Sequence, residues 1–323
     1  MPLSILSSVN HQPLFGGGFS PLANTPLSIQ GCTLWLDAAD GSTITSTTNN
    51  VSQWNDKSGK NNNFTATNNP RTGVFTINGL NAIDLSTNAT SYFSCATMTM
   101  SSTWSIFSVG YMNTPNTGKN SPLICNTSAS LCLMYGQINN NYRVLLGDGN
   151  ASWLSVADAV SLATTSTCLM GATNDSANSN LNMYGNGTLV KNATAYGTAY
   201  SSFTGVNISR NSQTGYGFWT GYVGEIIIYN RVLTSTERQY VEGYLAWKWG
   251  LAGNLPTTHL YYSIPPSMYI IPTSIGVSNS LLWLDGASKW SLVTSGSTVS
   301  TWKDKSGKAY DFTSFNSPVS GTS

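Results

Sequence analysis

Leu34-Trp-Leu-Asp37, followed by Val51-Ser-Gln-Trp-Asn-Asp-Lys-Ser-Gly-Lys60, decides how this chain is read, because the pattern occurs twice. Leu282-Trp-Leu-Asp285 repeats the first block and Val299-Ser-Thr-Trp-Lys-Asp-Lys-Ser-Gly-Lys308 the second. Phe312-Thr313 then follows as Phe64-Thr65 does. The offset is 282 − 34 = 248 positions, and it is the same at Trp54/Trp302 and Phe64/Phe312. A constant offset through two tryptophans and a five-residue identity marks an internal repeat. The expected organisation is an extended N-terminal arm over 1–30, a domain over 31–253, a Pro/Tyr-rich linker over 254–277, and over 278–323 the beginning of a second, incomplete copy.

Outward from the first block, short β-like runs alternate with turn clusters. Thr33–Leu36, Ala82–Leu85, Trp104–Tyr111, Tyr142–Leu146, Cys168–Thr173, Asn180–Tyr184, Gly205–Ser209 and Gly221–Tyr229 read as strands. Asn78-Gly79, Asn139-Asn-Asn141, Gly147-Asp-Gly149 and Asn186-Gly187 read as turns, and Leu181–Val190 reads as a hairpin whose Gly185–Gly187 supplies positive φ. One helix is expected within Leu233–Gly250. Thr234 and Glu237 form a capping box there, Val241, Tyr244, Leu245 and Lys248 lie on one stripe, and Gly250 ends it. Many short strands at this spacing predict an all-β, two-sheet antiparallel jelly-roll sandwich closed by one C-terminal helix.

Composition supports the same class. Of 323 residues 40% are hydrophobic and only 8% charged, against roughly 25% charged in ordinary globular chains. So few Glu, Lys and Arg disfavour long solvated helices. A net charge of +1, with Lys and Arg scattered singly, gives no footprint for nucleic acid. No stretch reaches the roughly 20 apolar residues of a membrane span. Met1–Val9 lacks a basic n-region and a long apolar run, so no secretory leader is expected.

The arm carries Pro2, Pro13, Pro21, Pro26 and Gly16-Gly-Gly18, which suit an extended segment and exclude a helix. The linker carries Pro256, Pro265, Pro266 and Pro272 with Tyr261, Tyr262 and Tyr269, the composition of a stiff connector that packs on a surface. Cys32, Cys95, Cys125, Cys132 and Cys168 are odd in number and irregularly spaced, so buried free thiols are expected. A Cys125–Cys132 bridge is the alternative. Asn-x-Ser/Thr sequons such as Asn63-Phe-Thr65, Asn88-Ala-Thr90 and Asn207-Ile-Ser209 arise by chance in so Asn- and Ser-rich a chain.

Two parts of the sequence match a known group. Leu34-Trp-Leu-Asp-Ala-Ala-Asp40 with Val51-x-x-Trp54-x-Asp-Lys-Ser-Gly59 resembles the opening of laminin-G-like (concanavalin A-like lectin/glucanase) jelly-roll domains. Gly224–Leu233, Glu237-Arg238, Tyr244-Leu-Ala246 and Lys248–Leu251 are similar to their close. The resemblance implies the jelly-roll fold and a habit of binding or scaffolding, as in structural proteins of large DNA viruses and in bacterial surface proteins.

Chemistry is sparse. A glycosidase needs two carboxylates about 5–10 Å apart. With 13 acidic residues the chain shows no Glu-x-Asp-x-Glu strand. Glu225 begins a strand alone, Glu237 is taken by the cap, and Glu242 lies on the helix. His11 and His259, in the arm and connector, read as ordinary surface or linker histidines without a triad. Asp37, Asp40 and Asp56 could ligate calcium. Capping turns is the preferred reading, since Asp37 and Asp56 recur as Asp285 and Asp304 while Asp40 is replaced by Ser288. Most of the tryptophans, Trp35 and Trp54 among them, read as core anchors, and Trp153 is the best exposed-loop aromatic.

The expected function is therefore non-enzymatic, without catalytic, cofactor or metal residues and with ligand-binding residues unknown. The first reading is a virion component, a minor capsid or surface-fibre protein, contacting other capsid proteins. The alternative is a glycan-binding adhesion module at a cell surface, and an enzyme ranks third.

Overall fold

A computed structural model describes residues 25–113, 122–128, 130, 132–138, 141–150, 152–154, 157–158, 166–210, 217–266, 292–295, 298–303 and 312–313. Turn chemistry sets the strand boundaries. The first six strands are β1 (Cys32–Asp37), β2 (Ile44–Thr47), β3 (Asn50–Trp54), β4 (Phe64–Thr67), β5 (Arg71–Ile77) and β6 (Leu80–Asp84). They are followed by β7 (Tyr92–Ser101), β8 (Trp104–Met112), β9 (Ile124–Asn126), β10 (Leu133–Ile138), β11 (Asn141–Leu146) and β12 (Ala157–Asp158). Next come β13 (Cys168–Asp175), β14 (Asn180–Gly185), β15 (Thr188–Thr194), β16 (Ser202–Ile208), β17 (Gly221–Tyr229) and the helix α1 (Ser235–Lys248). The last three strands are β18 (Leu292–Ser295), β19 (Thr298–Trp302) and β20 (Phe312–Thr313). Positive φ at Asn78-Gly79 and Asn186-Gly187 makes the β5–β6 and β14–β15 turns, the conformation that two-residue hairpins require. At the second turn Asn186 takes the role expected of Gly185.

The pairings are antiparallel and fall into two layers. One runs β1–β17–β8–β13–β14–β15, with β6 also beside the start of β17 and β5 beside β6. The other runs β2–β3–β4–β7–β16–β9–β10–β11–β12. Asn50 opposite Arg71 joins them at one edge. The space between is filled by Leu34, Leu36, Trp54, Phe64, Phe93, Ile106 and many others, Trp54 and Phe64 being fully buried. Removing such side chains from water is worth roughly 1.5–3 kcal/mol each. The fold is the all-β jelly-roll sandwich with a closing helix.

A second apolar layer lies outside the first sheet, and α1 covers it. Thr234 Oγ1 accepts the Glu237 N–H at 3.3 Å while Glu237 Oε2 accepts the Thr234 N–H at 2.9 Å, which closes the capping box. Val241, Leu245, Ala246 and Trp249 face Trp35, Phe107, Val109, Ile227 and Tyr229. Gly250, at φ 73°, ends the helix, and the Leu251 N–H reaches back to the Ala246 carbonyl. Tyr244 and Lys248 of the expected stripe reach a polar cluster described below.

A bulge between Val223 and Glu225 governs what β17 shows to each side. Val223, Ile226 and Ile228 face the sandwich core, so Glu225, Ile227 and Tyr229 face the helix. Gly224 sits at the bulge because a Cβ there would come within 3.0 Å of the Trp249 ring.

The connector begins packed. Leu255, His259 and Tyr261 are buried, and Tyr261 lies where Gly243 leaves room on the helix. Tyr262 is exposed, while Tyr269 lies outside the described residues. Among the arm residues, Pro26 and Ile29 are buried, and the Tyr229 hydroxyl donates to the Pro26 carbonyl at 2.9 Å. The glycine run and the other arm prolines lie outside the described residues.

The repeat carries over into strand pairing. Leu292 opposes Trp302 and Ser295 opposes Thr298, as Ile44 opposes Trp54 and Thr47 opposes Asn50. The bulge between Val293 and Thr294 falls where the first copy has one between Thr45 and Ser46. Trp302 opposes Phe312 as Trp54 opposes Phe64. The difference is burial: Phe64 is 0% exposed and Phe312 50%.

Candidate functional site

The densest polar arrangement lies between β1, β17 and α1. β1 directs Trp35 and Asp37 to the helix side, the bulge sends Glu225 there, and the last helical turn brings Tyr244, Lys248 and Trp249. Glu225 is fully buried and its two oxygens receive four donors. Trp35 Nε1 (2.6 Å) and the Tyr244 hydroxyl (2.9 Å) reach Oε1, while Trp249 Nε1 and Lys248 Nζ (both 2.8 Å) reach Oε2. Lys248 Nζ also meets Asp37 Oδ1 at 2.7 Å. Lys57 completes the chain, 2.9 Å from Asp37 Oδ2 and 2.7 Å from Asp40 Oδ2, with its ammonium over the Trp35 ring. Three carboxylates thus share two ammonium groups.

Burial pushes the Glu225 carboxyl above the usual carboxylate range, against the pull of Lys248. Hydrogen bonding to Lys57 holds Asp40 below it. For Lys57, burial opposes the charge, but its bonds to Asp40 and Asp37 prevail and the ammonium titrates above its ordinary value. Burial also drives the Tyr244 hydroxyl far up, with the Glu225 charge adding to it.

The repeated Asp-Lys-Ser-Gly turn has a separate task. Asp56 accepts the N–H groups of Trp35 (3.0 Å), Ser58 (2.8 Å) and Asn62 (3.0 Å) and the Ser58 hydroxyl at 2.7 Å. The Lys57 N–H donates to the Trp35 carbonyl, and Asn62 Nδ2 donates to the Thr33 carbonyl. Side chains and a loop therefore satisfy the outer edge of β1, which would otherwise present unpaired backbone groups. The calcium alternative brings together only Asp37 and Asp40, and they hold lysine. Asp56 is saturated by N–H and O–H donors. Among the described residues no group of three or more His, Cys, Asp or Glu could hold a metal ion.

Sequence reasoning misplaced several residues. Glu225 is the sole acid of β17, as expected, but it lies inside the strand and at the centre of the cluster, where the β17 bulge, which Gly224 hints at, puts it. His259, expected as a surface or linker residue, is a buried residue of the linker. Its Nε2 lies 3.3 Å from Glu242 Oε2, and both side chains are buried. Arg238, which lies over the Tyr184 ring, pairs with the same carboxylate. Glu242 therefore faces inward, and its Oε1 is buried without a partner. Trp153 is half-buried against Cys125, Met134 and Leu145, not presented by an exposed loop. Lys57 and Lys248 were missed as functional partners; the repetition of Lys57 as Lys305 was the available signal.

No disulfide joins the five cysteines, Cys125 and Cys132 included, and all five are buried. Burial pushes the thiols of Cys32 and Cys168 up to about 12, which leaves them unreactive. An open groove of about 650 Å³ runs beside the first strand, lined by Ile29, Cys32, Lys60 and Arg231 among others. Among the described residues no carboxylate lines it. No helix among the described residues is long and apolar enough to cross a membrane, which leaves β-barrel spans untouched. His11 lies outside the described residues, as do Asp285, Ser288 and Asp304.

Comparison with known proteins agrees with this architecture. Residues 85–237 match the concanavalin A-like lectin/glucanases superfamily. The chain carries a jelly-roll domain of this laminin-G-like class. Among solved structures, a botulinum neurotoxin serotype D/C binding domain aligns at a TM-score of 0.50 with 14% identity, over 68% of this chain and 53% of that one. The binding domain of botulinum neurotoxin DC in complex with rat synaptotagmin II aligns at a TM-score of 0.50 with 13% identity, over 67% of this chain and 52% of that one. The chain spans about half the length of these structures, and the likeness is one of fold. No curated protein matches the chain.

Proposed function

We propose that this chain is a non-enzymatic structural component of a virus particle, a minor capsid or surface-fibre protein, working through protein–protein contacts. The observation that carries the reading is the use made of the inward-facing carboxylates. Asp37 and Glu225 bind the helix to the sheet through lysine, tyrosine and two indoles, and Glu242 anchors Arg238 and His259. Acid–base groups serve closure of the domain, which leaves its outer surface as the working part. Tandem units over 31–253 and 278–323, an N-terminal arm and a proline-stiffened connector suit a part that touches several neighbours. The complex of a same-fold toxin domain with synaptotagmin II is consistent with protein recognition on such a scaffold, although at 13% identity it supports the fold more than the partner.

The test is mass spectrometry of purified particles from a host that expresses the gene, together with a glycan array probed with the full chain. Enrichment in particles at a fixed ratio to the major capsid protein, with no glycan bound, is the expected result. Absence from particles combined with saturable glycan binding would replace this reading with the adhesion module. Release of reducing sugar from any arrayed glycan would remove the non-enzymatic part.

A further inference from the structure

Lys248 Nζ stands between two inward-facing carboxylates, 2.7 Å from Asp37 Oδ1 and 2.8 Å from Glu225 Oε2. An amine, a carboxyl group and a second carboxyl that can move protons between them are the reagents for making an amide. In bulk water such groups stay apart and ionised, and solvent reverses the reaction. The fold lowers each of these obstacles. The closing helix, the first strand and the bulge of β17 each fix one of the three groups, and well-oriented neighbours reach effective molarities on the order of 10⁵–10⁸ M. The side chains of Glu225, Asp37 and Lys248 are 0%, 6% and 19% exposed. Trp35, Tyr244 and Trp249 surround the Glu225 carboxylate, and the Lys248 ammonium lies over the rings of the last two. An amide there would replace two charges held out of water by one neutral group, which a low-dielectric site favours.

The neighbouring groups are placed for the chemistry. Burial strengthens the hold of Glu225 on a proton, so the ammonium has a base at contact distance. Lys57 is not an equivalent nucleophile: burial opposes its charge, but its bonds to Asp40 and Asp37 keep the proton on it. It stays a cation 2.9 Å from Asp37 Oδ2, where negative charge gathers when Cγ is attacked. The Ala39 N–H holds Asp37 Oδ1 from 3.1 Å and fixes the carboxyl plane.

We propose that Lys248 and Asp37 become joined by an amide bond formed within the folded chain, with Glu225 as the proton carrier and Lys57 as the cation that steadies the tetrahedral intermediate. Glu225 takes a proton from the Lys248 ammonium and passes it to Asp37 Oδ1. The freed amine attacks Asp37 Cγ, the C–N bond forms, and charge builds on Oδ2 beside Lys57. Glu225 then relays a second proton from the nitrogen to Oδ1, the Cγ–Oδ1 bond breaks, and water leaves. One ammonium proton stays on the amide nitrogen and the other two leave in the water. Glu225 and Lys57 end as they began, and nothing is oxidised or reduced. The bond closes a ring of 248 − 37 = 211 positions and ties the first strand covalently to the helix that covers it. This stands apart from the proposed function, because the reaction runs once, on the chain itself, and turns over no substrate.

The test is the mass of the full chain, measured under denaturing conditions after the folded protein has been held at neutral pH. The parent should be lighter than its sequence by one water, and proteolysis should release a branched peptide that joins the Asp37 segment to the Lys248 segment. Lys248→Arg keeps a cation at the site without the amine and should show the full mass of its sequence. Glu225→Gln removes the proton carrier and should slow the loss of water by about 10²–10⁴-fold. A parent at its full sequence mass overturns the proposal. So does a loss of water without the branched peptide, the mark of a cyclised aspartate, and so does a loss that persists in Lys248→Arg. Loss of water from Glu225→Gln at the parent's rate overturns the part given to Glu225.

Discussion

Replacing Lys248 by Met tests the central account of how the helix is held. The ammonium lies 2.8 Å from Glu225, which is fully buried, and 2.7 Å from Asp37, whose side chain is 6% exposed. Methionine keeps the volume of the stem and removes the charge. Three carboxylates then face Lys57 alone, and Glu225 loses its one cation. Removing one partner of a buried pair costs about 3–5 kcal/mol, because the remaining charge is left without compensation in a low-dielectric site. For a domain of this size that is a fall in Tm of about 6–20 °C. Lys57→Met costs less, about 1–2 kcal/mol, because Asp40 is about one-third exposed and water screens it. Glu225→Gln falls between the two: its single carbonyl cannot accept both indole N–H groups, and one of them meets an amide N–H instead. The assay is hydrogen exchange of the α1 amides in increasing denaturant, which reports the first unit by itself. A Lys248→Met chain within about 1 kcal/mol of the parent would refute the reasoning, since the cluster would then be a surface feature of little weight.

Other expectations follow from the same structure. Phe64→Ala should destabilise the sandwich by about 3–5 kcal/mol and Phe312→Ala by under 1 kcal/mol, because the first side chain is fully buried and the second half-exposed; equal losses in denaturant melts would contradict the packing described. Asp40 is held below the usual carboxylate range by its hydrogen bond to Lys57, and Glu237 by Arg231. Their folded-state pKa values lie below the unfolded ones, so their contribution is present above the ordinary carboxylate pKa, about 4, and is lost as pH falls through the folded values. An Asp40→Asn/Glu237→Gln chain should be less stable at pH 7 and show a flatter decline below pH about 4; a decline as steep as the parent's would remove these two groups from the account. Gly243→Leu places a side chain where Tyr261 packs, so limited proteolysis should cut after Leu255 faster than in the parent; unchanged cleavage would mean the connector is held by other contacts.

Local pattern revealed most of the architecture. The capping box at Thr234 and Glu237, the Asn78-Gly79 and Asn186-Gly187 turns, and the strands around Trp104, Cys168 and Gly221 are short-range statements, and each was legible from neighbours in sequence. The site was less so, for a physical reason. Whether Glu225 faces the core or the helix depends on a one-residue bulge, which inverts every side chain beyond it, and periodicity alone cannot place such an insertion. His259 and Glu242 belong to different elements and meet only because the connector doubles back along α1. Trp153 packs on a sheet face formed by three strands, so its sequence context, a glycine-rich turn, suggested exposure that the tertiary contact removes.

The distribution of the repeated residues says what the repeat preserves. Leu282, Trp283, Leu284 and Asp285 stand for Leu34, Trp35, Leu36 and Asp37; Asp304, Lys305 and Ser306 stand for Asp56, Lys57 and Ser58. In the first unit the leucines enter the sandwich core, Trp35 and Asp37 meet the helix, and Asp56 seals the edge of β1. These side chains belong either to packing or to the junction of strand, edge loop and helix, while the repeated Ser52, Lys60 and Thr65 are exposed. Asp40, the carboxylate replaced by Ser288, is the most exposed member of the cluster and touches Lys57 from outside. Among the repeated residues the groups of the core and the edge loop recur, and the more solvent-facing acid is exchanged.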